Sequence, residues 1–191
     1  MALQEKLYTV EDVWQLGHQP ENEGKHYYLI DGELFWEMPP GYAHGRIAGH
    51  IFRYFLNYAE EHDLGDGSVE TGYYPTDDRY TLLSPDVAFI RKENLPPADH
   101  EKFVPRMPDL AVEVLSPSNS LAELRRKVTV YLANGTAIVW LVLPARQGVE
   151  VWRADADGEP QSEFVARDGS LSGEQILPGF SLDLRRLFPQ T

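Results

Sequence analysis

Residues 84–92 read SPDVAFIRK and residues 108–127 read PDLAVEVLSPSNSLAELRRK. Segment 109–115 is apolar almost without break, the pattern of a strand covered on both faces, yet Glu113 stands inside it. A carboxylate there is costly unless a cation or a metal ion answers it. Asp86 follows Pro85 at the head of a second apolar run, where a missing ladder donor tolerates the irregularity that projects a side chain. Pairing of the two runs brings Asp86 and Glu113 together. With the backbone carbonyl of Val114 they form the hard oxygen set that Mg²⁺ or Mn²⁺ takes. Lys127, on the helix expected to follow, suits orientation of a water at such a centre. The simpler alternatives are a turn cap for Asp86, a buried ion pair for Glu113, and a surface pair between Glu123 and Lys127 worth about 0.3–0.5 kcal/mol.

Downstream, Ser116-Pro-Ser-Asn-Ser120 offers N-caps for a helix over 121–133, with a stop at Asn134-Gly135. Residues 137–143 (AIVWLVL) read as another buried strand, 149–153 and 163–166 as antiparallel strands, and 182–188 as a short helix. Upstream, 69–74 and 81–90 read as strands. The clearest helix is 43–62, where Ile47, Ile51, Phe55 and Ala59 recur at steps of four, and Gly65-Asp66-Gly67 reads as the turn that ends it. Asp31-Gly32 joins the runs 26–30 and 33–38 as a hairpin, and Thr9 caps a short helix before it. Residues 91–108 follow neither period and read as a loop. The order over 43–143 predicts an α/β fold with an αβββαβ core, a mixed sheet flanked by helices. One domain over 1–191 is expected, with the N-terminal hairpin and the C-terminal antiparallel strands as additions.

Composition narrows the chemistry. The chain has no cysteine, which excludes a disulfide framework, thiolate zinc sites and cysteine nucleophiles. It contains no Gly-rich phosphate loop, Gly-x-Ser-x-Gly elbow or dinucleotide fingerprint. The opening residues MALQEKLYTVED lack a secretory apolar segment, so a cytoplasmic location without membrane attachment is the expectation. The formal net charge is −13, opposite to the basic face of a protein that holds nucleic acid by its phosphates. Arg125 and Arg126 beside Lys127 are the best local basic patch. His44 and His50 are six residues apart, cannot form a ligand pair on one helix face, and read as surface or hydrogen-bonded histidines. Glu33, just past the hairpin turn, is a further carboxylate candidate.

LIDGEL (29–34), SPDVAFI (84–90), PDLAVEVLSPS (108–118), the Glu123–Lys127–Tyr131 spacing and VWLVLP (139–144) occur in one order along the chain. In these motifs the chain resembles the Uma-type restriction endonuclease family, a branch of the PD-(D/E)xK nuclease superfamily. The resemblance implies metal-dependent hydrolysis of phosphodiester bonds in DNA on an αβββαβ core. It puts Asp86 and Glu113 in the two acidic positions of the superfamily motif. Leu115 stands where the motif has its lysine, which makes Lys127 the candidate, and Glu33 matches the family's glutamate after the Asp-Gly turn. A homodimer is expected, because cutting both strands of a duplex needs two sites. The competing expectation, drawn from the acidity and from Leu115, is a catalytically weak nuclease-fold dimer that acts as a binding or regulatory module through exposed Trp36 and Tyr42.

Overall fold

The computed structural model describes residues 6–189. Helix α1 (Val10–Gly17) and the hairpin β1 (His26–Ile30) and β2 (Glu33–Glu37) precede the core. The core runs α2 (Tyr42–His62), β3 (Gly65–Ser68), β4 (Val87–Arg91), β5 (Leu110–Val114), α3 (Leu121–Ala133) and β6 (Ile138–Leu143). This is the expected αβββαβ succession. Strands β7 (Gly148–Ala154) and β8 (Pro160–Ala166) extend the sheet, and β9 (Ser170–Gly173) pairs with β10 (Leu177–Asp183) beside it.

The six-stranded sheet has the order β3-β4-β5-β6-β7-β8. Only β5 and β6 are parallel, so the chain must cross over between them, and α3 makes that crossing. Side chains alternate along β5. Leu110, Val112 and Val114 pack with Ile47, Ile51 and Phe55 of α2 on one face, while Ala111 packs with Leu124, Val128 and Tyr131 of α3 on the other. Glu113 has the same parity as Ala111 and therefore points beneath α3. Among the described residues no helix is long and apolar enough to cross a membrane.

Three local expectations are corrected. The strand expected over 69–74 does not form; the glycine-rich segment Gly65–Ser68, which reads as a turn, pairs with β4 instead. A Cβ at residue 65 would stand 2.1 Å from the Ile90 carbonyl oxygen, so glycine is what allows this edge strand to lie so close. The run 81–90 is a strand only from Val87, because Ser84-Pro85-Asp86 breaks the ladder, and Leu82 and Leu83 make isolated bridges to Leu29 and Tyr73. The helix expected over 182–188 is the end of β10 and one 3₁₀ turn, Leu184–Arg186, opened by Asp183 accepting from the Arg185 amide at 2.9 Å. Its apolar residues Leu184, Leu187 and Phe188 join the α2-face core.

Helix α3 opens on a reciprocal cap: the Ser120 hydroxyl accepts from the Glu123 amide at 3.2 Å, and Glu123 accepts from the Ser120 amide at 2.6 Å. Ser120→Ala should lower unfolding free energy by about 1 kcal/mol. Urea midpoints at unchanged m-value measure this, and an unmoved midpoint would show that the cap contributes nothing.

Candidate active site

The β4–β5 register pairs Val87 with Val112, and one further step sets Asp86 across from Glu113. Pro85 ends the ladder there, so the amide of Val114 donates to Asp86 Oδ2 at 2.6 Å rather than to a backbone carbonyl. The same oxygen lies 3.1 Å from Nε2 of His44, in the first turn of α2. Glu113 is held from α3. The Tyr131 hydroxyl donates to its Oε1 at 2.9 Å, and Lys127 Nζ stands 3.8 Å from its Oε2. Lys127 and Tyr131 are four residues apart and so share a helix face. Lys127 Nζ also donates to Glu37 Oε1 at 2.9 Å and sits 4.3 Å above the Tyr28 ring.

The charges in this cluster do not cancel pairwise. Burial pushes Glu113 up to about 7; Lys127 pulls it down, while Asp86 and Glu37 push the same way as burial. Burial also opposes the charge on Lys127, but Glu113 and Glu37 outweigh it and hold the ammonium above its ordinary value. His44 behaves similarly: burial disfavours its protonation, and the hydrogen bond and charge of Asp86, the charge of Glu113 and the Val114 backbone together reverse that. Burial first, then Glu113, raise Tyr131 well above its ordinary value, so it remains a neutral donor. The closer contact of Lys127 goes to Glu37, which leaves Glu113 under-neutralised.

A cavity of about 40 Å³ lies against these groups, its walls including Glu37, His44, Asp86, Glu113 and Ser116. That is room for one ion or one or two waters. Carboxylate oxygens and an imidazole nitrogen suit a divalent cation, and the excess negative charge favours one. His44 Nδ1 is buried and has no hydrogen-bond partner among the described residues. No three of the described His, Asp or Glu side chains already stand at coordinating distance. In this arrangement the His44 ring and the Lys127 ammonium face the carboxylates. The donor set fits a metal ion, with side-chain adjustment needed to hold it.

Asp86, Glu113 and Lys127 are thus brought together, and Lys127 is buried rather than paired on the surface with Glu123. Glu33 is not brought in. It is exposed at the turn end of β2, 3.5 Å from Arg126, and Glu37 at the open end reaches Lys127 instead. The two glutamates share a strand face, so the alternation from Glu33 through Phe35 to Glu37 was the available signal. Of the two alternatives for His44, surface or hydrogen-bonded, the structure shows the second: it is only 8% exposed and its Nε2 lies 3.1 Å from Asp86 Oδ2. The basic patch is already engaged: Arg125 makes two contacts to Glu150, at 2.6 and 3.2 Å, and Arg126 pairs with Glu33.

Residues 10–185 match the model of the Uma2 family, described as "Putative restriction endonuclease". Among solved structures, the chain is similar to the crystal structure of "a putative nuclease belonging to DUF820" from Anabaena variabilis ATCC 29413. The TM-score is 0.77 at 20% identity, over 94% of this chain and 97% of that one. At that identity the likeness establishes the fold. No curated protein matches.

The elevated value of Glu113 carries a pH dependence. Between its ordinary 4.5 and about 7, the folded chain keeps a proton that the unfolded chain has released. The resulting stability is full below 4.5 and is lost as pH rises through 7. In chelator, the urea midpoint of the wild type should fall across that interval and that of Glu113→Gln should stay flatter. Equal slopes would assign the titration to another group.

Proposed function

The chain belongs to the Uma2 family, and from that premise and the clustered carboxylates we propose that it is a divalent-metal-dependent endonuclease acting on DNA. The observation that carries this reading is the placement of Asp86, just ahead of β4, and Glu113, on β5, against one small cavity, with Lys127 Nζ 3.8 Å from Glu113 Oε2. Asp86, Glu113 and the Val114 carbonyl would hold Mg²⁺ or Mn²⁺, and His44 Nε2, 3.1 Å from Asp86 Oδ2, positions that carboxylate. When bound, the cation supplies Lewis acidity toward the phosphodiester and a nucleophilic water.

The chain's own residues supply position and charge. Lys127 orients the attacking water and stabilises negative charge developing on the scissile phosphate. Its bond to Glu37 fixes the ammonium, so the role first assigned to Glu33 passes to Glu37. Tyr131 fixes Glu113 by donating to the oxygen that Lys127 does not approach, an outer contact of the kind that orients metal-binding carboxylates. Leu115 leaves no lysine on β5 itself, and α3 provides one from above the strand. Cutting both strands takes two such sites, which a two-fold dimer supplies.

Supercoiled plasmid and single-stranded DNA, each with Mg²⁺, Mn²⁺ or chelator, test the proposal. Wild type should cleave and chelator should abolish cleavage. Asp86→Asn, Glu113→Gln and Lys127→Met, verified as folded, should each lose about 100-fold or more. Glu33→Gln should stay close to wild type. Wild-type rates in Glu113→Gln would sink the assignment, and a folded wild type inert with every metal would turn the reading toward a binding module.

A further inference from the structure

We propose that this chain takes an unstacked nucleobase into an aromatic pocket beside the carboxylate cavity, so that its substrate is a strand with an unpaired or flipped nucleotide. This deepens the nuclease reading and rests on it. A second cavity, about 210 Å³, shares His26, Glu70 and Ser84 with the carboxylate cavity as common wall. A phosphate held at the first would leave its attached nucleoside at the mouth of the second.

The second cavity is lined for stacking. Its walls include Trp14, His18, Tyr27 and Phe103. Phe103 stands edge-on to Trp14 with ring centres 5.1 Å apart, and the His18 ring is 4.5 Å from Trp14, which makes an aromatic corner. Phe103 presses onto bare backbone, since a Cβ on Gly72 would lie 2.3 Å from its ring. Polar groups accompany the rings. Lys25 Nζ donates one hydrogen to Asn22 Oδ1 at 2.9 Å and retains two others, while Ser84 and the His26–Glu70 pair offer further hydrogen-bonding atoms. Glu70 holds a left-handed backbone at φ 51, an unfavourable conformation for a non-glycine residue and one that clusters at functional sites.

Electrostatics favour the same occupant. At net charge −13, with Arg125, Arg126 and Lys127 engaged by carboxylates, phosphate contacts supply little affinity. Stacking on aromatic side chains is the other general source of single-strand affinity, and it tolerates any base.

The test is fluorescence anisotropy in chelator with a short labelled oligothymidylate and an abasic chain of equal length. The proteins are full-length wild type, Trp14→Leu, His18→Ala and Trp36→Ala, each with native circular dichroism. The base-bearing chain should bind wild type about 5- to 100-fold more tightly than the abasic chain. The Trp14 and His18 variants should lose most of that difference, and Trp36→Ala, on the exposed hairpin, should keep it. Equal binding of both chains, binding of neither, or full discrimination in both pocket variants overturns the proposal. The same preparations enter the cleavage assay. Cleavage without base discrimination removes the pocket and leaves the nuclease; discrimination without cleavage leaves the pocket and removes the nuclease.

Discussion

One ammonium held between two carboxylates beneath a helix is the constraint on which the site depends. Lys127 is 3% exposed, and a buried ion that loses its partner costs about 3–5 kcal/mol. Helix α3 therefore has to lie where Lys127 meets both Glu113 below and Glu37 beside it. The parallel β5–β6 pair requires a crossover, the crossover lays α3 on the face to which Glu113 points, and the hairpin is drawn in through Glu37. Three segments distant in sequence are thereby tied at one point. The tie is incomplete in charge, because one cation serves two carboxylates while Asp86 adds a third nearby. That shortfall makes the cavity a place for a further positive charge.

What could be read in advance followed from local contradictions. Glu113 is legible because a carboxylate inside an apolar strand demands a partner, and Asp86 because proline ahead of a strand marks where the ladder yields. The core order was legible from two amphipathic helices bracketing apolar runs, and the structure has that order. Lys127 was ambiguous, since its spacing from Glu123 fits a surface pair as well as a buried one. The cap at Ser120 resolves this by engaging Glu123.

The rest was hidden because it depends on long-range packing. Glu33 and Glu37 share a strand face, so only the placement of the hairpin over α3 selects between them. His44 lies outside the apolar stripe of its helix, and nothing local announces that the end of β4 will rise to meet it. Strand β3 is invisible to any side-chain pattern because its sequence, Gly-Asp-Gly-Ser, has no apolar residue and reads as a turn. Gly65 earns its place only through the backbone of β4.

The acidity that counted against nucleic-acid binding has a structural counterpart. Arg91 and Arg106 converge on buried Asp109, Arg125 on buried Glu150, and Lys127 on Glu113 and Glu37. Basic side chains around the core are thus used inward, to neutralise carboxylates that strands carry beneath the surface. A polyanion approaching this chain meets a field that repels it, and screening by salt weakens that repulsion. Binding that improves rather than collapses as monovalent salt rises would fit such a surface, the reverse of counterion-release binding. On the proposed reading, a chain so charged would hold nucleic acid through a few short-range contacts, and the groups around the carboxylate cavity that could make them are carboxylates suited to a cation and aromatic rings.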